Sequence, residues 1–429
     1  MAPWLQGLKT KQLQVLAKRT GLPCSGSKST IIAALEKGLV EYGNHQTQQK
    51  EMKRGKWNRK AEGEESWRIL SIDMGIRNLA FAVLKVRGSD PTSSVLEMIQ
   101  GKGGKGSASN LGSNTTTELT LRAWRRVSLP MDRGFTSREF KRYLDALGPD
   151  PDATPAPTSK ADDVPETAEV SDGKTNTKAQ EKGTGEAAKT SFSFSLEVYA
   201  THTHSILTQL LARYNPTHIL IERQRFRSGG GAAVQEWSLR VGVFEGMLWA
   251  VLHSLNMEQL RSKRTATVPK VIAIEPSRVG RFWAPAADTG TDSALEEGKE
   301  EKKAKKSTSS REGKKLKIDL VGSWLEKDAF VISNKDGTRE WVEGFMAKWK
   351  KSPSASSKSS SESKTKAKSK TTTKAKKQSA AAATVVPDVT KLDDLADCLV
   401  QGVTWLEWER TKGRILREGS TAVEDDGPA

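Results

Sequence analysis

The chain predicts an α/β fold in which a mixed sheet flanked by helices follows a small N-terminal helical hairpin. Three observations carry that expectation. Ile69 to Leu84 reads as a strand, a Gly75 turn and a second strand; helical spacing and short apolar runs alternate from Phe194 to Ile274; and a long helix is expected from Lys391 to about Arg410. Residues 148–189, 286–311 and 351–385 are Lys-, Ser-, Thr-, Glu- and Ala-rich without apolar periodicity and read as disordered inserts, so the folding part is much shorter than 429 residues.

Composition narrows the partners. Hydrophobic residues make up 35% and mean hydropathy is -0.58, while a net charge of +17 and an isoelectric point near 9.6 point to a polyanion, either nucleic acid or an acidic membrane surface. The 12 tryptophans argue against a wholly disordered basic protein. Cys24 and Cys398 stand in unrelated contexts, which favours reduced thiols over a disulfide framework. No run of 18 apolar residues is present, so no membrane span is expected.

Taken in order, residues 1–43 form the first unit. Leu8, Leu13, Leu16 and Ala17 have helical spacing, Gly21 stops that helix, and Ser27 or Ser29 caps a second from Thr30 to Leu39. The pattern from Leu8 to Lys28 resembles the SAP motif, a DNA-binding helical hairpin, and the resemblance implies DNA contacts through Lys9, Lys11, Lys18, Arg19 and Lys28. The segment has no acid before Glu36, a trait shared with mitochondrial presequences, so a cleaved leader and a retained DNA anchor both stay open. Residues 44–66 read as a basic tether, and residues 67–418 as the main domain carrying the inserts.

Within that domain a third strand is expected at Leu119 to Leu129, with Trp124 flanked by arginines. A helix from Phe194 to Tyr214 ends at Asn215-Pro216, and Thr217 to Glu222 is a short strand finishing on a carboxylate. Arg223 to Gly231 then combines arginines, Phe226 and a glycine run, a loop suited to a phosphate backbone, with Phe226 able to stack on or wedge between bases. The helix from Ala233 to about Leu255 has an apolar face that suits the sheet or a second subunit equally. Val271 to Ile274 is a buried strand closed by Glu275-Pro276, Lys314 to Leu325 looks helical, pattern does not resolve Phe330 to Lys350, and residues 419–429 form a tail.

Two features suggest chemistry. Asp73 interrupts an otherwise apolar strand: it either ends the strand ahead of Gly75 or needs a cation once desolvated. On the last helix, Asp393, Asp394 and Asp397 gather away from the Leu392, Leu395, Ala396, Leu399 and Val403 stripe, as a solvated acidic N-terminus or as a metal-binding cluster. His202, His204 and His218 read as structural.

Four stretches in order, I-D-M-G-I-R-N-L-A, I-E-R-Q-R-F-R-S-G, K-K-L-K-I-D-L-V and K-L-D-D-L-A-D, resemble the fungal mitochondrial Holliday-junction resolvases, RuvC relatives in the RNase H-like superfamily. The resemblance implies an RNase H-like sheet on which Asp73, Glu222, Asp397 and either Asp394 or Asp393 are catalytic metal-binding acids. It implies two Mg²⁺ ions, with Mn²⁺ as a substitute, and DNA contacts through Arg77, Arg223, Gln224, Arg225, Phe226 and Arg227. The implied substrate is a four-way DNA junction in mitochondria, cut at two symmetric positions by a homodimer. Outside that resemblance, a non-catalytic DNA-binding or nucleoid-organising protein, or another RNase H-like nuclease acting on branched DNA or RNA-DNA hybrids, would also account for the charge.

Overall fold

The computed structural model describes residues 2–54, 67–75, 78–87, 118–129, 195–224, 236–262, 268–284, 310–351, 389 and 391–421. The expected contacts Arg77, Arg225, Phe226 and Arg227 lie outside the described residues, as does nearly all of the three inserts. The N-terminal helices are α1 (Trp4–Gly7), α2 (Thr10–Arg19) and α3 (Lys28–Arg54). Next come β1 (Trp67–Met74), β2 (Asn78–Arg87), β3 (Glu118–Ser128), α4 (Leu196–Tyr214), β4 (His218–Glu222), α5 (Glu236–Arg261), β5 (Lys270–Ile274) and α6 (Pro276–Trp283). Helix α7 (Ser310–Glu326), β6 (Val331–Ile332), α8 (Thr338–Lys351) and α9 (Leu392–Glu418) complete the chain.

The strands form one mixed sheet in the order β5-β4-β1-β2-β3-β6. β2 pairs antiparallel with both β1 and β3, whereas β4 runs parallel to β1 and β5 parallel to β4. This is the RNase H-like mixed sheet that the motifs imply. Side-chain alternation then divides the core between two faces. Leu70, Ile72, Phe81, Val83, Ile219 and Ile221 pack under α4 and α5. Ile69, Ala80, Ala82, Leu84, Trp124 and Leu220 pack under α6 to α9.

Helix α9 is buried from Leu395 through Trp408 on nearly every side, so its buried surface extends well beyond the Leu392, Leu395, Ala396, Leu399 and Val403 stripe. Two features allow so close an approach. At Gly402 an added Cβ would lie 2.9 Å from Leu84 Cδ1 and 3.4 Å from Ser71 Cβ. One residue earlier, Gln401 Nε2 donates to Ser71 Oγ at 3.1 Å and to the Ile72 carbonyl at 3.3 Å, giving a buried polar group the partners it requires. Trp124 Nε1 adds a hydrogen bond to the Leu395 carbonyl at 3.0 Å.

Several elements differ from their sequence-based expectations. The stretch from Phe330 to Lys350 resolves into β6, beside β3, and α8, whose Phe345 meets Trp124 with ring centroids 5.0 Å apart. Helix α6 follows Glu275 with Pro276 at its first position, where a missing N–H costs nothing. Helix α3 runs on through residues 44–54, read above as tether. Asn215 closes α4 in the left-handed conformation (φ 40°), and Ser27 Oγ accepts the Thr30 N–H at 3.3 Å, as its capping role required.

The N-terminal hairpin is docked on the main body. Leu5, Leu13, Leu16, Ile31 and Leu35 share a cluster with Ile415 of α9, and Arg278 of α6 donates to the Gly21 carbonyl at 3.0 Å. Gly21 has φ +69°, and a Cβ there would fall 2.2 Å from the Trp408 indole. Gly21→Ala is therefore expected to destabilise the protein by about 3 kcal/mol, combining left-handed backbone strain with overpacking. Urea denaturation measures this, and a loss under about 1 kcal/mol would show that the indole yields at little cost.

Candidate active site

Strand register brings the first two acids together. β1 and β4 pair in parallel with Ser71 opposite Leu220 and Ile72 opposite Ile221. One step further on, Asp73 and Glu222 stand on neighbouring strands, roughly 5 Å apart in the backbone. Both have the parity of Ser71 and Leu220, so both belong to the face covered by α9. Because Gln401 is anchored to Ser71, the preceding two turns of α9 carry Asp397 and Asp394, at i−4 and i−7, towards the same sheet end.

A β-bulge sets the other side. The β2–β3 register shifts between Val83 and Leu84, where Arg122 is the extra residue, and the shift changes which residues of β3 face α9. After it, Trp124 and Arg126 point to the α9 side. Arg126 stands opposite Ala80, itself opposite Asp73, and its Nε donates to Asp394 Oδ2 at 2.9 Å.

Helix α7 supplies two more cations. Lys317 Nζ lies 2.7 Å from Asp397 Oδ1, with both side chains under one fifth exposed, at 18% and 19%. Lys314 Nζ lies 2.7 Å from Asp393 Oδ2 but is 55% exposed. The motif on this helix gave the lysines no role by itself. Their three-residue spacing, set against the Asp393/Asp397 spacing, was the available signal, although nothing local shows that the two helices meet.

The electrostatics follow from this crowding. Burial first, then the charges of Glu222, Asp397 and Asp394, pushes the Asp73 carboxyl well above the ordinary carboxylate range, with Lys317 opposing. Glu222 rises to about 7 through burial, with Asp397 adding to the effect, Lys317 opposing it and Glu245 of α5 adding again. Asp397 is also raised, because burial outweighs Lys317. At Asp393 burial pushes upward but the Lys314 hydrogen bond and charge prevail, and the carboxyl sits below its usual value. Asp393 and Asp394 are each paired with a cation, but Asp394 and not Asp393 figures among the charges that raise Asp73.

The loop after β4 is pinned where it leaves the sheet. The Arg223 N–H donates to the Ile274 carbonyl at 2.8 Å, and the Gln224 N–H donates to Glu245 Oε2 at 3.0 Å. The Arg223 side chain is exposed. Of the hairpin cations, Lys9 and Lys11 are exposed, Lys18 and Arg19 are half-buried, and Lys28 Nζ donates to the Gln6 carbonyl at 2.7 Å. These cations belong to the hairpin, a separate packing cluster from the carboxylates.

Other sequence expectations fall into place as structural roles. His218 is stacked between Trp67 and Trp405, at 5.3 and 4.9 Å between ring centroids, and His202 is buried within α4. Cys24 and Cys398 are free thiols. Burial, followed by Asp73 and Asp397, pushes the Cys398 thiol well up, so it stays protonated beside the acids. Among the described residues no helix is long and apolar enough to cross a membrane.

The donors meeting at this edge are carboxylate oxygens, which suit a hard divalent cation such as Mg²⁺. Among the described residues, no three acidic, thiol or imidazole groups are drawn closely enough around one point to hold an ion as the side chains stand. Instead, lysine and arginine supply the countercharge.

Comparison with known proteins agrees with the sequence motifs. The family model described as mitochondrial resolvase Ydc2 / RNA splicing MRS1 matches residues 69–415, a span that contains every acid discussed and Lys317. Cruciform cutting endonuclease 1, mitochondrial, of Schizosaccharomyces pombe is 26% identical over 150 residues, which is 35% of this chain and 50% of that protein. The chain thus spans about half the length of the curated relative it matches. The crystal structure of the yeast mitochondrial Holliday junction resolvase Ydc2 aligns with a TM-score of 0.42 and 16% identity, over 97% of this chain and 99% of that one.

The raised acids make stability depend on pH. A carboxyl at about 7 in the folded state, against an ordinary 4.5, favours folding fully below about pH 4.5 and loses that contribution as pH rises through about 7. Metal-free protein is expected to lose on the order of 3 kcal/mol from Glu222 between about pH 5 and about pH 8. Urea unfolding in chelator at both pH values measures the loss, and Glu222→Gln should flatten the profile.

Proposed function

The chain belongs to the mitochondrial resolvase Ydc2 / RNA splicing MRS1 family, and we propose that it is a mitochondrial, metal-dependent endonuclease that resolves four-way DNA junctions. The observation that carries this reading is the grouping of Asp73, Glu222, Asp397 and Asp394 at one sheet edge, near enough that the other three add to burial in raising Asp73 and that Asp397 adds to burial in raising Glu222. A basic protein with no chemistry to perform gains nothing by aiming desolvated carboxylates at a phosphate backbone.

In this reading Asp73, Glu222, Asp397 and Asp394 hold two Mg²⁺ ions, with Mn²⁺ as a substitute. Bound there, the ions would supply an activated water and stabilise the departing 3′ oxygen of a phosphodiester. The chain's own residues do the rest. Gln401 holds the acid-bearing turns of α9 against β1, and Arg126 orients Asp394. Arg77, Arg223, Gln224, Arg225, Phe226 and Arg227 would engage the junction near its centre. Lys9, Lys11, Lys18, Arg19 and Lys28 of the SAP-like hairpin would grip an arm through its phosphates. Paired symmetric nicks call for a homodimer.

The family description also names RNA splicing, and a nucleic-acid binder without catalysis remains the competing reading. The intact acid cluster favours cleavage. Asp73→Asn is expected to lower Mg²⁺-dependent cleavage of a synthetic mobile junction by more than about a hundredfold while leaving junction affinity within about twofold. An electrophoretic binding assay beside the cleavage assay separates the two quantities. Wild-type protein that binds the junction in Mg²⁺ and leaves it uncut would defeat the nuclease reading. Junction binding should also weaken linearly in log–log form with salt, by about 0.9 per phosphate contacted on duplex arms. Lys9→Ala with Lys11→Ala should reduce that slope.

A further inference from the structure

Among the described residues, Lys317 is a cation whose charge acts on three of the clustered acids, Asp397, Glu222 and Asp73. Its ammonium lies 2.7 Å from Asp397 Oδ1 with both side chains largely shielded from water. Its charge also reaches Glu222 and Asp73, which lie on two different strands. By contrast, Lys314 meets Asp393 on the exposed side, and Arg126 meets Asp394 from β3. Helix α7 is held firmly while it presents Lys317. Val321 and Trp324 are buried in the α9-side core, Trp349 covers Gly322, where an added Cβ would fall 2.2 Å from the indole, and Trp349 Nε1 donates to Asp319 at 3.1 Å.

An ammonium in contact with Asp397 Oδ1 takes one of the two oxygens that this carboxylate could offer a divalent ion at roughly 2.0–2.6 Å. Two cations sharing that oxygen would repel each other in a poorly solvated site. The lysine stem is four carbons long and flexible, so its head can leave while the helix stays in place.

We propose that Lys317 is a resident counterion of the carboxylate cluster, holding Asp397 and its neighbours together in the metal-free protein and withdrawing from them when a divalent ion binds. This inference rests on the metal-binding reading of the acids given above. It makes Lys317 a residue that lowers metal affinity in return for a folded metal-free state. A lysine that merely orients Asp397 as a ligand would have the opposite effect.

The test measures Mn²⁺ binding to the full chain by isothermal titration calorimetry and by electron paramagnetic resonance of free Mn²⁺, with no substrate present. Lys317→Met is expected to bind Mn²⁺ about tenfold more tightly than wild type, whereas loss of a supporting partner weakens metal binding by about 10–100-fold. Lys317→Gln, which keeps a hydrogen-bond donor for Asp397 without the charge, should shift the same way and serves as the second variant if Lys317→Met does not fold without metal. Lys317→Arg and the exposed-pair control Lys314→Met should stay within about threefold of wild type. Metal-free Lys317→Met should also melt below wild type, with the gap closing in Mn²⁺. Unchanged or weaker Mn²⁺ binding in the neutral variants overturns the counterion inference and leaves the metal site standing. Wild-type protein that binds no Mn²⁺ overturns both.

Discussion

Like charge gathered at one sheet edge is the constraint to which much of this structure answers. The parallel register of β1 and β4 sets Asp73 beside Glu222 before any helix is considered. Helix α9 then adds Asp394 and Asp397, and burial raises the cost of ionising Asp73, Glu222 and Asp397 together. Three cations from two elements distant in the chain offset that cost: Arg126 from β3, and Lys314 and Lys317 from α7. Each is paired with a different aspartate of α9, so the acidic first turns of the helix are countered residue by residue.

Holding α9 in place requires polar contacts inside an apolar layer. Gln401 reaches Ser71 and the Ile72 carbonyl, and Trp283 Nε1 donates to Thr404 Oγ1 at 2.8 Å. A buried amide with its partners made is tolerable, whereas the same amide shifted by one residue would be left unpaired. Apolar packing alone would allow α9 to slide. The Gln401 contacts and the close approach at Gly402 select one axial position, the one that carries the aspartates past the end of β1.

The hairpin is integrated by the same helix at its other end. Trp408 and Ile415 of α9 meet Gly21 and the α2–α3 core, and Arg281 of α6 contacts Cys24 at 3.2 Å. Under the proposed function, a hairpin tied to the body in this way would meet nucleic acid at a set distance from the acids. It cannot roam as a module on a free tether would. Helix α9 thus links the two parts: its first turns carry acids and its last turns carry the hairpin.

Much of this was legible in the residues themselves. The strand pair around Gly75, the strand ending at Glu222, the helix stop at Asn215-Pro216 and the aspartate-rich start of α9 all depend on local periodicity or turn chemistry, which a linear sequence states directly. So does the pairing of acids with basic surroundings that points to nucleic acid. What the sequence could not state depends on distance. The parity change at Arg122 that turns Arg126 towards Asp394 comes from a bulge with no local signature. Lys317 and Asp397 become partners only because α7 packs along α9. The stripe and acids at the start of α9 were readable, whereas the near-complete burial from Leu395 to Trp408 was not, since a helix segment enclosed by sheet and helices shows little polar face to read. Element identity and the candidate acids followed from nearest-neighbour chemistry; their partners and proton affinities came from tertiary packing, because Coulomb and desolvation energies depend on separation in space and not along the chain.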